Sequence, residues 1–173
     1  MCGIVAAVAA RPVQSILVEG LKRLEYRGYD SAGVALLNGN INVYKKQGKV
    51  SDLEAYCTGQ DIAGHIGIGH TRWATHGEPN TRNAHPHQSG PVAVVHNGII
   101  ENFRELRDEL IAAGAKFTSE TDTETIVHLA NKHLADGMSP VAAAHATLGR
   151  LEGAFALAFL FEGEEDLLIA ARR

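Results

Sequence analysis

Cysteine is scarce: Cys2 and Cys57 are the only two in 173 residues, which excludes a disulfide framework and makes a reducing compartment the expectation. Clustered positive charge is also missing. Basic residues adjoin only as Lys22-Arg23, Lys45-Lys46 and Arg172-Arg173, and the formal net charge is −4. No electrostatic footprint for nucleic acid or an anionic membrane results, so neither is an expected partner. Membrane-length apolar runs are absent. The run over residues 3–10 has no positive segment before it and is cut by Arg11-Pro12. That argues against a secretory signal or a membrane span and makes the cytoplasm the expected location. Nine histidines are present, and His85-Pro86-His87 places two near each other, yet no His-Glu-x-x-His helix or cysteine pair accompanies them. No metal and no cofactor is expected. Repeats and low-complexity linkers are absent, and the length fits one domain.

What is present is an alternation of strand and helix signals. Residues 3–10 read as a buried strand. Pro12 then suits a helix start, with Val13, Ile16, Leu17, Leu21 and Leu24 at helical spacing. Residues 27–33 read as a polar turn, and Asn38-Gly39 between apolar residues 34–37 and 41–46 predicts a hairpin. Ser51-Asp52-Leu53-Glu54 and Thr121-Asp122-Thr123-Glu124 have capping-box spacing and predict helix starts. Strands are predicted over 65–71 and 92–96, with a polar loop over 79–89 between them. Helices are predicted over 102–113, to about 135, and from Ser139-Pro140 to 151, followed by a hairpin of 154–161 with 167–171. Strands, then helices, then strands describe an α+β fold of antiparallel sheets with helices packed outside. The last strand has no turn or helix after it, so an incomplete domain is expected.

Two features carry chemistry. Removal of Met1 would leave the thiol and a free α-amine on Cys2. An α-amine titrates at about 7.7–8.0, close enough to a thiol's value of about 8.5 to take its proton near neutrality. A polar cluster follows: His70-Thr71-Arg72-Trp73-Ala74-Thr75-His76-Gly77, Asn83-Ala84-His85-Pro86-His87 and His96-Asn97-Gly98. An arginine fork beside a tryptophan suits a carboxylate, a side-chain amide with a glycine N–H suits an oxyanion, and Asp122 suits an ammonium. Singly, Asp122 reads equally as an N-cap, Arg72 as a surface ion pair, Trp73 as core and Asn97-Gly98 as a turn. Jointly they describe a site for an amino acid whose side-chain carbonyl Cys2 attacks.

The strings Met1-Cys2-Gly3-Ile4-Val5, Glu25-Tyr26-Arg27-Gly28-Tyr29-Asp30-Ser31-Ala32-Gly33, the one from His70 to Gly77, and His96-Asn97-Gly98 resemble class-II glutamine amidotransferases. Within that class they are similar to the glutaminase domains of the glucosamine-6-phosphate synthase branch, along the whole chain. The resemblance implies an N-terminal-nucleophile hydrolase αββα sandwich of two antiparallel sheets, truncated at its C-terminus. It implies Cys2 as nucleophile, with Asn97 and Gly98 as the oxyanion hole. Arg72 would clamp the glutamine carboxylate, Asp122 its amine, and Arg27 would lie beside the nucleophile. Trp73, Thr75 and His76 would belong to a loop closing over L-glutamine. In a full-length enzyme, expected to be a homodimer, the ammonia would pass to isomerase domains that bind fructose-6-phosphate and form glucosamine-6-phosphate. Those domains are expected to be absent here. The alternatives are the glutaminase of another class-II amidotransferase and a catalytically silent fragment.

Overall fold

The computed structural model describes residues 2–60, 63–74 and 77–173. Its first sheet is built from β1 (Gly3–Val8), β2 (Ser31–Asn38), β3 (Asn40–Gln47) and β4 (Ile66–Arg72), in the spatial order β1-β4-β2-β3. The second contains β5 (His87–Ser89), β6 (Val92–Gly98), β7 (Phe155–Phe161) and β8 (Ile169–Arg172), in sequential order. All pairings are antiparallel. Helices α1 (Gln14–Leu24) and α2 (Val50–Cys57) cover the first sheet. Helices α3 (Phe103–Ala112), α4 (Thr123–Ala135) and α5 (Pro140–Arg150) cover the second.

Residue alternation explains the four layers. On β2, Val34 and Leu36 pack with Leu17, Leu21 and Leu53 beneath the helices. Their neighbours Ala35 and Leu37 join Ile66 and Ile68 to meet Ala93, Val95, Ala158 and Leu160 of the other sheet. On β7, Phe159 and Phe161 turn outward to Ile126, Leu129 and Ala130 of α4. Strands apolar on both faces are what a sheet covered on both sides needs. Each fully buried aliphatic or aromatic side chain stabilises by about 1.5–3 kcal/mol relative to exposure.

Several boundaries differ from the sequence reading, each for a long-range reason. The polar turn expected over 27–33 becomes a 3-10 turn, Glu25–Arg27, and β2 already begins at Ser31 because Ser31 pairs with Arg72. The loop expected to run to residue 89 ends in β5, whose three residues form a strand by pairing with β6. Asn97 and Gly98 do not follow β6; they are its last residues, opposite Ala156 and Phe155. Helix α2 starts at Val50, not at Ser51, and its first-turn carboxylate is Asp52, which accepts from the Lys49 N–H at 2.8 Å. Helix α4 lacks the expected box altogether. Glu124 instead accepts from Thr118 N–H at 2.7 Å and from Ser119 N–H and Oγ at 2.6 Å each. At α5 the local rule holds: Ser139 Oγ accepts from Ala142 N–H at 3.3 Å and Pro140 opens the helix.

Candidate active site

The antiparallel register of β1 against β4 pairs Gly3 with Thr71, so one step further Cys2 lies beside Arg72 and Trp73. There the Trp73 N–H donates to Cys2 Sγ at 3.2 Å, and the thiol reaches Trp73 O at 3.4 Å. The indole of Trp73 is half exposed and lies across Gly28, where any Cβ would sit 2.8 Å from its ring. Gly28 has φ +90°, a conformation that only glycine adopts readily, so the 3-10 turn carrying Arg27 can pass beneath the indole.

Arg72 is 3% exposed at the end of β4. Its guanidinium donates to Gly77 O at 3.1 Å and Glu78 O at 3.2 Å, and Asp30 Oδ1 lies 3.6 Å away. Asp30 in turn accepts from Ala74 N–H and from Ser31 Oγ, the latter at 2.9 Å. Across the loop, Asn83 Nδ2 donates to Glu78 O at 3.0 Å and to Glu120 Oε2 at 2.9 Å. This arrangement ties the segment after Trp73 to the approach of α4. Thr75 and His76 lie outside the described residues.

From the second sheet come Asn97, Gly98 and Asp122. Asn97 Nδ2 points toward Cys2, 3.4 Å from its carbonyl oxygen, and Asn97 Oδ1 is 2.8 Å from His70 Nε2. Gly98 has φ +116°, and a Cβ there would lie 2.3 Å from Ala154 O, so no larger residue fits. Asp122 stands immediately before α4. Its Oδ2 accepts from Ile100 N–H at 2.9 Å, and Oδ1 lies 4.0 Å from His96 Nδ1.

These residues share one cavity of about 500 Å³, lined by Cys2, Arg27, Arg72, Trp73, Asn97, Gly98 and Asp122 together with His85, His96, Ile99, Thr121 and Thr123. Its wall therefore holds a thiol, a guanidinium, a carboxylate and a side-chain amide, which matches the groups of a zwitterionic amino acid carrying an amide. Histidines form part of this wall and, with His70 and His87 packed against His85, a layer that continues behind it. Burial pushes His70 down to about 4, although its bond to Asn97 opposes this. Burial also lowers His87 to about 3 and His85 well below the usual range. The rings are engaged by hydroxyls: Thr123 Oγ1 bridges His85 Nε2 at 2.8 Å and His96 Nδ1 at 2.9 Å, and Thr121 Oγ1 meets His87 Nε2 at 3.1 Å.

Three participants escaped the sequence reading. The group of Trp73 that meets Cys2 is its backbone N–H and not its ring. Asp30 and His70 sat inside recognised strings, and nothing local marks either as a partner of Arg72 or Asn97.

Residues 70–173, more than half of the chain, match the family model described as a glutamine amidotransferase domain, and the chain belongs to that family. The fold is that of the N-terminal-nucleophile amidotransferases. The glutamine phosphoribosylpyrophosphate amidotransferase of B. subtilis superposes over 99% of this chain and 36% of its own, with TM-score 0.80 and 26% identity. Among curated relatives, the glutamine–fructose-6-phosphate aminotransferase (isomerizing) of Mesorhizobium japonicum is 58% identical over 173 residues, and that of Brucella suis 58% over 174. The chain spans only 28% and 29% of those two proteins' lengths. No helix among the described residues is long and apolar enough to cross a membrane.

Proposed function

We propose that this chain hydrolyses L-glutamine to glutamate and ammonia, with Cys2 as nucleophile. The observation that carries the reading is the convergence of Cys2 with Arg72, Asn97 and Asp122 on one cavity. Arg72 takes the α-carboxylate and Asp122 the α-amine, with Arg27, Trp73, Thr75, His76 and Gly98 completing the glutamine site. Removal of Met1 frees the Cys2 amine, which accepts the thiol proton. The thiolate attacks the carboxamide carbon, and the resulting oxyanion faces Asn97 Nδ2 and Gly98. The amine returns the proton to the leaving nitrogen, the C–N bond breaks and ammonia departs from a thioester. Water, deprotonated by the same amine, adds to the thioester carbon; the C–S bond breaks, and glutamate and the thiol are restored.

The chain is then the glutaminase domain of a longer, cytoplasmic and homodimeric enzyme. There the ammonia passes to an isomerase domain that binds fructose-6-phosphate and forms glucosamine-6-phosphate. The 58% identity to the aminotransferases favours this acceptor over the phosphoribosyl acceptor named for the structural neighbour at 26%.

The test is ammonia release from glutamine by the full-length protein with Met1 removed. Cys2→Ala should lower it by about 10⁴-fold or more, as loss of a nucleophile does in other acyl-transfer enzymes. Equal release by both proteins would sink the assignment. Adding fructose-6-phosphate should raise release by the unmodified protein, and indifference to it would remove the proposed acceptor.

A further inference from the structure

Asn97 can serve an oxyanion only if its amide nitrogen, and not its oxygen, faces Cys2. A side-chain amide is nearly symmetric in shape, so something must choose between its two orientations. We propose that His70 makes that choice and is a positioning residue for Asn97 in the glutamine hydrolysis inferred above.

One ring nitrogen decides the orientation. His70 Nε2 lies 3.0 Å from the carbonyl oxygen of His96 and 2.8 Å from Asn97 Oδ1. A backbone carbonyl only accepts, so Nε2 must carry the hydrogen. Once it does, Asn97 must turn its oxygen toward the ring and share that hydrogen with the His96 carbonyl, since an amide N–H set against the ring N–H would be repelled and left unpaired in a buried place. The amide nitrogen is then directed to the opposite side, where Asn97 Nδ2 meets the Cys2 carbonyl oxygen at 3.4 Å. The chain of consequences thus leads from the His96 carbonyl to the His70 tautomer, and from there to the Asn97 orientation and the donor beside the nucleophile.

The ring is held for this task. His70 is 1% exposed, and His85 stacks on it with centroids 4.2 Å apart and planes 21° from parallel. His85 is itself fixed by the Thr123 hydroxyl at 2.8 Å. The low proton affinity that burial gives His70 keeps the ring neutral through the physiological range, so a single tautomer persists. His70 does not line the cavity; it acts through Asn97.

Four forms of the full-length, Met1-processed protein decide the matter: unmodified, H70L, H70Q and H70N. Glutamine places an amide N–H where Nε2 stood, and asparagine falls one carbon short. H70L and H70N should lose about 100-fold in kcat, the effect of losing one oxyanion donor, with KM for glutamine within about threefold. H70Q should recover to within about tenfold of the unmodified protein. Alkylation of Cys2 by iodoacetamide, which needs no oxyanion donor, should proceed at the unmodified rate in every form. Equal activity of H70Q and H70N, a loss confined to KM, or a parallel fall in alkylation would overturn the proposal. If H70L does not fold, the H70Q and H70N pair still decides. Failure of the unmodified protein to hydrolyse glutamine is a separate result, and it would remove the glutaminase reading along with this one.

Discussion

Asp122 shows how a single residue is shared between fold and site. One of its carboxylate oxygens accepts from Ile100 N–H at 2.9 Å, which ties the end of β6 to the start of α4. The carboxylate also lines the same cavity as the buried Arg72 guanidinium, where it can meet an ammonium. Asp122→Asn keeps an acceptor for Ile100 but removes the charge. A charge-assisted hydrogen bond contributes about 1.5–3 kcal/mol, so KM for glutamine should rise about 10- to 100-fold while kcat falls much less. Steady-state kinetics at saturating and limiting glutamine separate the two, and an unchanged KM would rule out Asp122 as the amine ligand. The residues legible in the sequence were those whose chemistry is carried by their own groups, the side chains of Cys2, Arg72, Asn97 and Asp122 and the backbone of Gly98, and all five fall on the cavity. His70 and Asp30 were not legible as partners, because their value lies in which atom another side chain presents across the fold, and no spacing rule encodes that.

At the scale of the element, local rules succeeded where no distant partner competed. The hairpin at Asn38-Gly39 and the Ser139-Pro140 helix start formed as read. The Thr121–Glu124 box did not form, because both of its capping groups are engaged elsewhere: Glu124 with Thr118 and Ser119, and the Thr121 hydroxyl with Ser119 and His87. Although burial alone would raise it, Glu124 is held well below the usual carboxylate range by hydrogen bonds from His128, Ser119 and Thr118, so it favours these bonds over capping its own helix. Helix α1 has the opposite character. No side-chain oxygen caps it and no acidic residue lies in its first turn, so packing must hold it in place. Leu17 is fully buried and reaches Gly67 of β4, where a Cβ would lie only 2.7 Å from Leu17 Cδ1. Leu17→Ala should therefore cost about 2–5 kcal/mol. For a domain of this size that lowers Tm by roughly 5–15 °C. A calorimetric shift under about 2 °C would mean that α1 owes little to this contact. The 3-10 turn beneath Trp73 follows α1 directly, so thiol accessibility at Cys2 should rise in the same variant.

The whole molecule answers to pH through the histidine layer between α4 and the two sheets. His70 titrates at about 4, His87 at about 3 and His85 lower than usual, with burial as the leading cause in each and the positive charge of Arg72 adding to it. Lys45 also lowers His87 and Glu124 opposes it, while the neighbouring rings depress His85. In the unfolded chain each histidine binds its proton at about 6.5. Between that value and about 4 the unfolded state therefore holds more protons than the folded one, and stability must fall as pH falls. Each group contributes a slope approaching 1.4 kcal/mol per pH unit, so the three together approach about 4. Burial also lowers His133, which adds to the fall in the same direction, while Lys45 and Glu124 act outside the window. Burial lowers Lys45 to about 8, so its contribution changes only above that pH. Glu124 is ionised in the folded state throughout, and its stabilisation is lost only as pH falls below the unfolded carboxylate value of about 4.3. The urea midpoint should thus drop steeply from pH 7.5 to pH 5.0, well before the carboxylates protonate. His87→Gln, which keeps a polar group near the Thr121 hydroxyl, should remove about one third of that slope. A midpoint that stays level over this range would show that the layer takes up protons without resistance, and the single-tautomer role assigned to His70 would lose its support.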